Sequence, residues 1–248
     1  MMNYEIPART GAVSGPYEVL CPLPLYAASS PTQFRLAASP HGFSVLIEAV
    51  YLVFPFFKER PPKGRVFEDD CLEFFIRPQS SKDSFFPAPF YYCWEINAGG
   101  SLLEYRAGIG EEGRRIIGSG GGEAICDGSG ALPGIEPVHG ILRDTVAGSL
   151  ISFEYDWKSK AAYTVKIDEP NKLWLLDLFI PWADFGLDEA PHGEVWYFTV
   201  NRIEVPSQEM GGKANGKAEG KPGLACLHEG MTEPLFHQPN LFPPINIR

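Results

Sequence analysis

The chain has 248 residues, of which 44% are hydrophobic, so it can build a packed core. It carries 31 acidic and 21 basic residues and a formal net charge of −10, which disfavours a nucleic-acid binder that works by neutralising phosphates. The sequence contains no run of about 18 apolar residues, so it predicts no membrane-spanning helix.

Glycine and proline interrupt the chain often, with 26 and 23 residues. This content is too high for a helical bundle and favours many short strands joined by turns. Residues 1–30 are rich in proline and small residues and predict an extended arm packed on the core. Residues 31–248 are predicted to form one domain.

Strands account for most of the predicted elements. They are predicted at Phe43–Val53, Cys71–Arg77, Phe90–Asn97, Leu102–Arg106, Ile151–Trp157, Ala161–Ile167, Leu173–Ile180 and Val195–Val205. The side chains of Cys71–Arg77 and Phe90–Asn97 alternate with a period of two, which indicates strands with one buried face.

Helix is predicted only as a single turn at Pro181–Phe185, with Gly186 directly after it. Strands without helices between them pair in the antiparallel direction. The sequence therefore predicts an all-β sandwich or barrel with long loops and little helix.

The predicted strands Cys71–Arg77 and Phe90–Asn97 carry polar side chains on one face. Glu73, Glu95 and Asn97 point away from the apolar faces, and carboxylates and amides suit sugar hydroxyl groups because they accept or donate several hydrogen bonds. An outward-facing solvated sheet surface explains the same pattern and is the favoured interpretation from composition alone.

Aromatic residues cluster near those strands. They are Phe54, Phe56, Phe57, Phe67, Phe85, Phe86 and Trp182. An exposed ring beside polar groups can stack on the apolar face of a sugar, whereas a ring folded back onto the sandwich is structural. For any single ring the structural interpretation is favoured.

Asn201 and Arg202 are adjacent in a predicted strand, so they face opposite sides of the sheet and only one can share a surface with Glu73 and Glu95. Arg202 is predicted either to hold one of these carboxylates for a ligand or to form a structural ion pair.

The sequence gives little support for a catalytic site or a metal-binding site. Glu73 and Glu95 are the one strand-borne carboxylate pair that could serve a glycoside-processing enzyme. The five histidines, His41, His139, His192, His228 and His237, show no metal-binding spacing, so no zinc or haem site is predicted. No catalytic residue, metal ligand or cofactor is assigned from the residues.

Four segments in sequence resemble the family 9 carbohydrate-binding modules and their stand-alone relatives. They are FEDDCLEFFIRP with YYCWEINAGGSLLEYR, then WLLDLFIPWADFG, then VWYFTVNRIE, and finally LFHQPNLFPPI. The resemblance covers roughly Thr32 to Ile247 and implies a DOMON-like, jelly-roll-like antiparallel β-sandwich. It also implies a saccharide held between aromatic rings and polar side chains.

The resemblance assigns particular roles. Phe67 falls at a stacking aromatic, where the family has the larger Trp, and Glu73 falls at the acceptor carboxylate. Glu95 and Asn97 fall where sugar binders can have Arg and then Asn, so Glu95 reverses a charge. Residues 221–229 supply no second aromatic ring. Family members can bind a structural calcium, for which the acidic run at residues 68–70 could supply oxygens, although a solvated acidic turn is favoured.

The sequence thus predicts a non-catalytic carbohydrate-binding protein whose site contains Phe67, Glu73, Glu95, Asn97 and Arg202. A glycoside-processing enzyme and a protein-interaction module are the alternatives. A saccharide is the expected partner, with no nucleic acid and no membrane. The expected location is cytoplasmic if the N-terminus is native and extracellular if a signal peptide has been removed.

Overall fold

The computed structural model describes the backbone of residues 4–6, 18–19, 21–22, 30–80, 87–116, 124–125, 141–146, 149–205, 223–227 and 236–247. Side chains are described for residues 30–80, 87–113, 149–205, 223–227 and 236–247. Every structural statement below refers to these residues.

Strands dominate the described chain. In order they are β1 Tyr4–Ile6, β2 Glu18–Val19, β3 Cys21–Pro22, β4 Thr32–Ser39, β5 Gly42–Val50, β6 Cys71–Arg77, β7 Phe90–Asn97, β8 Leu102–Ile109, β9 Ala124–Ile125, β10 Ile141–Val146, β11 Ser149–Glu154, β12 Ala162–Asp168, β13 Leu173–Pro181, β14 Val195–Glu204, β15 Gly223–Cys226 and β16 Pro244–Ile247. Helix α1 spans Gly110–Ile116, and 3₁₀ turns span Val66–Glu68 and Trp182–Phe185.

The strands form two sheets. The large sheet has the order β1-β16-β14-β6-β7-β8-β11-β10-β9, with β15 beside β14 and β3 beside β15. The small sheet has the order β12-β13-β5-β4-β2. Most pairs are antiparallel, while β1–β16 and β9–β10 are parallel. The predicted antiparallel β-sandwich with little helix is confirmed.

The inner core lies between the two sheets. On β6 the alternate residues Leu72, Phe74 and Ile76 point inward and are fully buried. Rings fill the space between them and the small sheet, as the stacked pair Phe43 and Phe74 shows, with centroids 5.7 Å apart. Burial of these apolar faces is the main favourable term for the sandwich.

The predicted strands are all present. Cys71–Arg77 and Phe90–Asn97 have the predicted bounds, and the others have shifted ends. The strand predicted over Phe43–Val53 ends at Val50, because Leu52 and Val53 are exposed in the loop that follows. The predicted helical turn is present as a 3₁₀ turn, and Gly186 ends it in the left-handed conformation with φ of 74°.

Several elements were not located from the sequence. Strand β4 was missed although Phe34 and Leu36 alternate with Gln33 and Arg35, and β10 was missed as well. Helix α1 is only seven residues long, and the remaining strands are too brief to show a period. Strands β1, β2 and β3 pair with β16, β4 and β15 respectively. The division of the chain into an arm and one domain stays a prediction.

No helix in the described part of the chain has the length and apolar character needed to cross a membrane.

Candidate functional site

The outer face of the large sheet, which points away from the small sheet, brings three polar side chains together. Glu73 on β6 lies directly opposite Glu95 on β7 and, on its other side, directly opposite Asn201 on β14. Residues at opposed positions of antiparallel strands project from the same face with Cβ atoms about 5 Å apart. The predicted convergence of Glu73 and Glu95 on neighbouring strands is therefore present.

Apolar side chains surround these polar groups. We call this set the outer cluster, which comprises Val66, Cys71, Phe75, Tyr91, Cys93, Leu103, Tyr105, Ala107, Ile151, Phe153, Tyr155, Leu224, Cys226, Phe236 and Phe242. Within it Glu73 and Glu95 are each 3% exposed, and Asn201 is fully buried. The predicted solvated surface is therefore wrong for this face, because a second layer of packed side chains covers it.

Hydrogen bonds link the polar groups into a partly satisfied network. The Asn201 amide donates to Glu73 Oε2 at 3.2 Å, and the Thr199 hydroxyl donates to Asn201 Oδ1 at 2.9 Å. The Tyr105 hydroxyl donates to Glu95 Oε1 at 2.5 Å. Glu95 Oε2 is buried without a hydrogen-bond partner among the described groups.

His237 extends this network from the C-terminal segment. Its ring stacks on Phe75 with centroids 4.9 Å apart, and its two nitrogens lie 2.9 Å from the Tyr91 hydroxyl and 3.1 Å from the Tyr105 hydroxyl. Because Tyr105 donates its proton to Glu95, it accepts from Nε2–H of a neutral His237, and Nδ1 then accepts from Tyr91. The chain of bonds thus runs in one direction towards Glu95.

Burial controls the protonation of these groups. It raises the pKa of Glu95 to about 7, although the Tyr105 hydrogen bond acts in the opposite direction. It raises the pKa of Glu73 well above its ordinary value, and the charge of Glu95 adds to this effect. Burial also lowers the pKa of His237 to about 4. At neutral pH the carboxyl pair therefore retains a proton and offers both a donor and acceptors.

Sequence reasoning missed His237, Tyr91 and Tyr105 as members of this site. The histidine was considered only for metal-ligand spacing, and the tyrosines belong to apolar-rich strands. Asn201 was considered, but Arg202 was chosen in its place. The alternation of β14 would have favoured Asn201, because Arg202 lies on the same side of the strand as the inner-core residues Phe198 and Val200.

The structure gives Arg202 a different position from the predicted one. Its guanidinium lies on the opposite face of β14, where it donates to the Ser30 carbonyl at 3.1 Å and to the Thr32 hydroxyl at 2.8 Å, and it pairs with Glu204. The predicted fork to Glu73 or Glu95 is therefore wrong. The ion-pair alternative agrees with the structure.

Asn97 also has a role other than the predicted hydroxyl contact. It is fully buried, and its amide donates to the Lys58 carbonyl at 3.0 Å and to Asp69 Oδ2 at 2.8 Å. Its side-chain oxygen accepts the backbone N–H groups of Gly99 and Ser101. Asn97 therefore stabilises the β7–β8 turn, and its side-chain amide and oxygen already form hydrogen bonds within the protein.

The predicted rings are dispersed. Phe67 is half-buried, packs against the outer cluster and lies under the Arg65 guanidinium, 5.3 Å from the ring centroid. Trp182 belongs to the inner core, whereas Phe54 and Phe57 are exposed at one end of the sandwich. Phe85 and Phe86 lie outside the described residues.

The three acidic residues 68–70 form ion pairs and hydrogen bonds with other groups of the protein. Arg60 forms ion pairs with Glu68 and Asp69. Asp70 accepts the backbone N–H groups of Phe56 and Val205, and burial raises its pKa to about 6. Asp69 is fully buried, so the predicted solvated turn is wrong at that position. The described chain contains no group of three or more His, Cys, Asp or Glu side chains placed to hold a metal ion.

No family model matches the sequence, and no curated protein matches it. Solved structures do resemble it. A provisionally assigned carbohydrate-binding protein from Bacteroides uniformis has 16% identity and a TM-score of 0.58, with 100% of this chain and 98% of that chain covered. At this identity the likeness shows a shared fold.

A family 9 carbohydrate-binding module from Caldicellulosiruptor kristjanssonii is also among the structural neighbours. Its complexes with cellotriose and with glucose both have 10% identity and a TM-score of 0.49, with 100% of this chain covered and 94% and 96% of those chains. The structural neighbours thus include the family that the sequence motifs resemble.

Proposed function

We propose that this protein binds a saccharide without catalysis, on the outer face of the large sheet. The site consists of Glu73, Glu95 and Asn201, with Phe67 at the edge of the outer cluster. The observation that carries the proposal is the Glu95 Oε2 atom, which is buried in a polar group of three strands and has no hydrogen-bond partner among the described groups.

Stability alone does not account for this arrangement. An unsatisfied buried polar atom costs about 1–3 kcal/mol, and apolar side chains of similar size at such positions often give an equally stable protein. A ligand hydroxyl would donate to Glu95 Oε2, and the protonated member of the carboxyl pair would donate to a ligand oxygen. Saccharides offer both kinds of group on adjacent carbons.

The fold supports the same class of ligand. The Bacteroides uniformis protein, which shares the sandwich over the whole of this chain, is provisionally assigned to carbohydrate binding. The motifs around Phe67 and Glu73, which resemble those of the family 9 modules, also favour a saccharide ligand. Fold likeness by itself does not fix function, so the proposal depends on the side chains of the outer face.

Access to the pair decides between binding and catalysis. Glu73 and Glu95 are each 3% exposed, so a saccharide reaches them only when the surface above them opens. A glycosidase holds the scissile bond between its two carboxyl groups, with room for a leaving group and water. The Asn201 amide holds Glu73 and the Tyr105 hydroxyl holds Glu95, and carboxyl groups fixed in this way favour binding over turnover.

The test is calorimetric titration of the full chain with neutral mono- and trisaccharides, repeated for Glu73→Gln and Asn201→Ala. We expect at least one sugar to bind the wild type, and each variant to bind about tenfold or more weakly because one hydrogen bond to a charged or polar group is lost. Asp177→Asn removes an exposed carboxylate from the small sheet and serves as the control.

Circular dichroism of each variant checks that the fold is retained. Heat from none of the sugars, or unchanged affinity in a folded Glu73→Gln variant, would overturn the proposal for this face. Product formation from chromogenic glycosides that is abolished in Glu73→Gln would replace binding with catalysis.

A further inference from the structure

A second surface with the properties of a ligand site lies at one end of the sandwich, away from the outer cluster. Three loops and strand β12 enclose a cleft of about 830 Å³. Its walls are the segments 59–63 and 99–102, with Glu104, Asp156, Lys158 and Tyr163. None of these residues contributes to the proposed outer-face site.

The walls of this cleft are fastened to the sandwich. The Arg60 backbone N–H donates to the Ser101 hydroxyl at 3.0 Å, and the Tyr163 hydroxyl donates to the Gly100 carbonyl at 2.9 Å. Lys63 forms an ion pair with Asp156 at 3.0 Å across the cleft. The cleft is therefore formed before any ligand arrives, which lowers the entropy cost of binding.

The charges along the cleft balance. Among the described lining residues the acidic side chains are Glu59, Glu104 and Asp156, and the basic ones are Arg60, Lys63 and Lys158. Lys63 and Asp156 pair with each other, and three acidic and three basic side chains together favour neither an anionic nor a cationic ligand. They do present both hydrogen-bond donors and acceptors, which an uncharged ligand rich in hydroxyl groups can use.

An aromatic ring contacts one wall of the cleft at Gly99, and a second ring lies beside the first. The Phe57 ring packs on Gly99, so closely that a Cβ on that glycine would lie 2.4 Å from the Phe57 ring, and Phe57 is 37% exposed. Phe54 is 51% exposed, with its ring centroid 6.3 Å from that of Phe57. A contiguous exposed apolar surface rimmed by polar residues marks an interaction site, and these two neighbouring rings supply its apolar part.

We infer that this cleft is a second binding site, specific for a neutral oligosaccharide. The C–H face of one sugar residue packs on Phe57 and Phe54, and hydroxyl groups bond to the charged side chains of the cleft. Rings and balanced polar groups are together what a neutral sugar requires, since it has both an apolar face and hydroxyl edges. This inference is independent of the outer-face site, and either site can exist without the other.

The test uses calorimetric titration of the full chain with a neutral trisaccharide series, and the variants Phe54→Ala and Phe57→Ala. We expect each variant to bind about five- to tenfold more weakly at one of the sites, because a stacking ring is lost. Leu52→Ala is the matched control, because Leu52 is 63% exposed in the same loop but carries no ring.

The variant Glu73→Gln separates the two sites. Weaker binding in the phenylalanine variants, with unchanged binding at that site in Glu73→Gln and Leu52→Ala, supports the cleft. Unchanged binding in both phenylalanine variants overturns the cleft and leaves the outer-face proposal to its own result. Equal loss in Leu52→Ala, or equal affinity for a charged trisaccharide, overturns the assignment to a neutral sugar.

Discussion

Replacement of Glu95 by glutamine should make the protein more stable at alkaline pH and leave it almost unchanged in acid. Glutamine has the shape of glutamate and keeps an oxygen that accepts from Tyr105. Its amide can donate to Glu73, which faces it across the strand pair. The substitution removes only the charge that burial disfavours.

The sign follows from the direction of the pKa shift. Burial raises the pKa of Glu95 from 4.5 to about 7, so between these values the folded protein holds a proton that the unfolded chain has released. The free energy of unfolding therefore falls as pH rises through this range. The pKa difference corresponds to about 3 kcal/mol, an upper bound because the surroundings relax around the charge.

Urea denaturation of the wild type and of Glu95→Gln at pH 4.5 and pH 8.5, followed by tryptophan fluorescence, measures the effect. We expect nearly equal stability at the lower pH and an advantage for the variant of about 1–3 kcal/mol at the higher pH. The control Asp177→Asn, on the exposed face of β13, should show no such pH-dependent advantage.

The reasoning is refuted if the difference between Glu95→Gln and wild type is the same at both pH values. A variant that is less stable at pH 8.5 would also refute it, because glutamate would then be stabilised by its charge in the folded state.

Three further predictions concern other parts of the structure, each measured by chemical denaturation. His237→Phe keeps a ring on Phe75 but leaves the Tyr91 and Tyr105 hydroxyls without the histidine, so it should lose about 1–3 kcal/mol at pH 7.5. The stability deficit of this variant relative to the wild type should shrink as pH falls from 6.5 to about 4, where the unfolded wild-type chain takes up a proton that folded His237 does not; a deficit that stays constant would contradict the assignment. Asn97→Ala should lose about 2–4 kcal/mol because the β7–β8 turn is released, and a loss below about 0.5 kcal/mol would argue against that role. Gly42→Ala should lose about 1–3 kcal/mol, since the new Cβ would lie 2.4 Å from a carbonyl oxygen of β13, and a stability equal to wild type would show that the strand pair can separate without cost.

The strands that carry the outer-face site could be predicted because their alternation is strong. In Cys71–Arg77 and Phe90–Asn97 the period of two assigns each side chain to one face, and this local rule placed Glu73 and Glu95 on the face opposite Phe74 and Trp94. Strands that follow one another along the chain are neighbours in a sheet about two-thirds of the time, so the convergence of these two strands could be predicted.

The choice between Asn201 and Arg202 could also have been made from alternation. On β14 the apolar residues Trp196, Phe198 and Val200 face the inner core, so Asn201 falls on the opposite face with Glu73. The sequence did not show that β14 pairs directly with β6, because that pairing joins segments far apart along the chain.

Composition and alternation by themselves predicted an all-β sandwich or barrel with an apolar face on each central strand and a carboxylate pair on the reverse face. Only the tertiary structure showed that the reverse face is also buried and that Asn97 stabilises a turn. It also showed that His237 contacts Tyr105, although the two residues are more than 130 positions apart in the sequence. Alternation acts between neighbours along one strand, whereas these contacts depend on where distant segments pack, and that is settled by the folded chain as a whole.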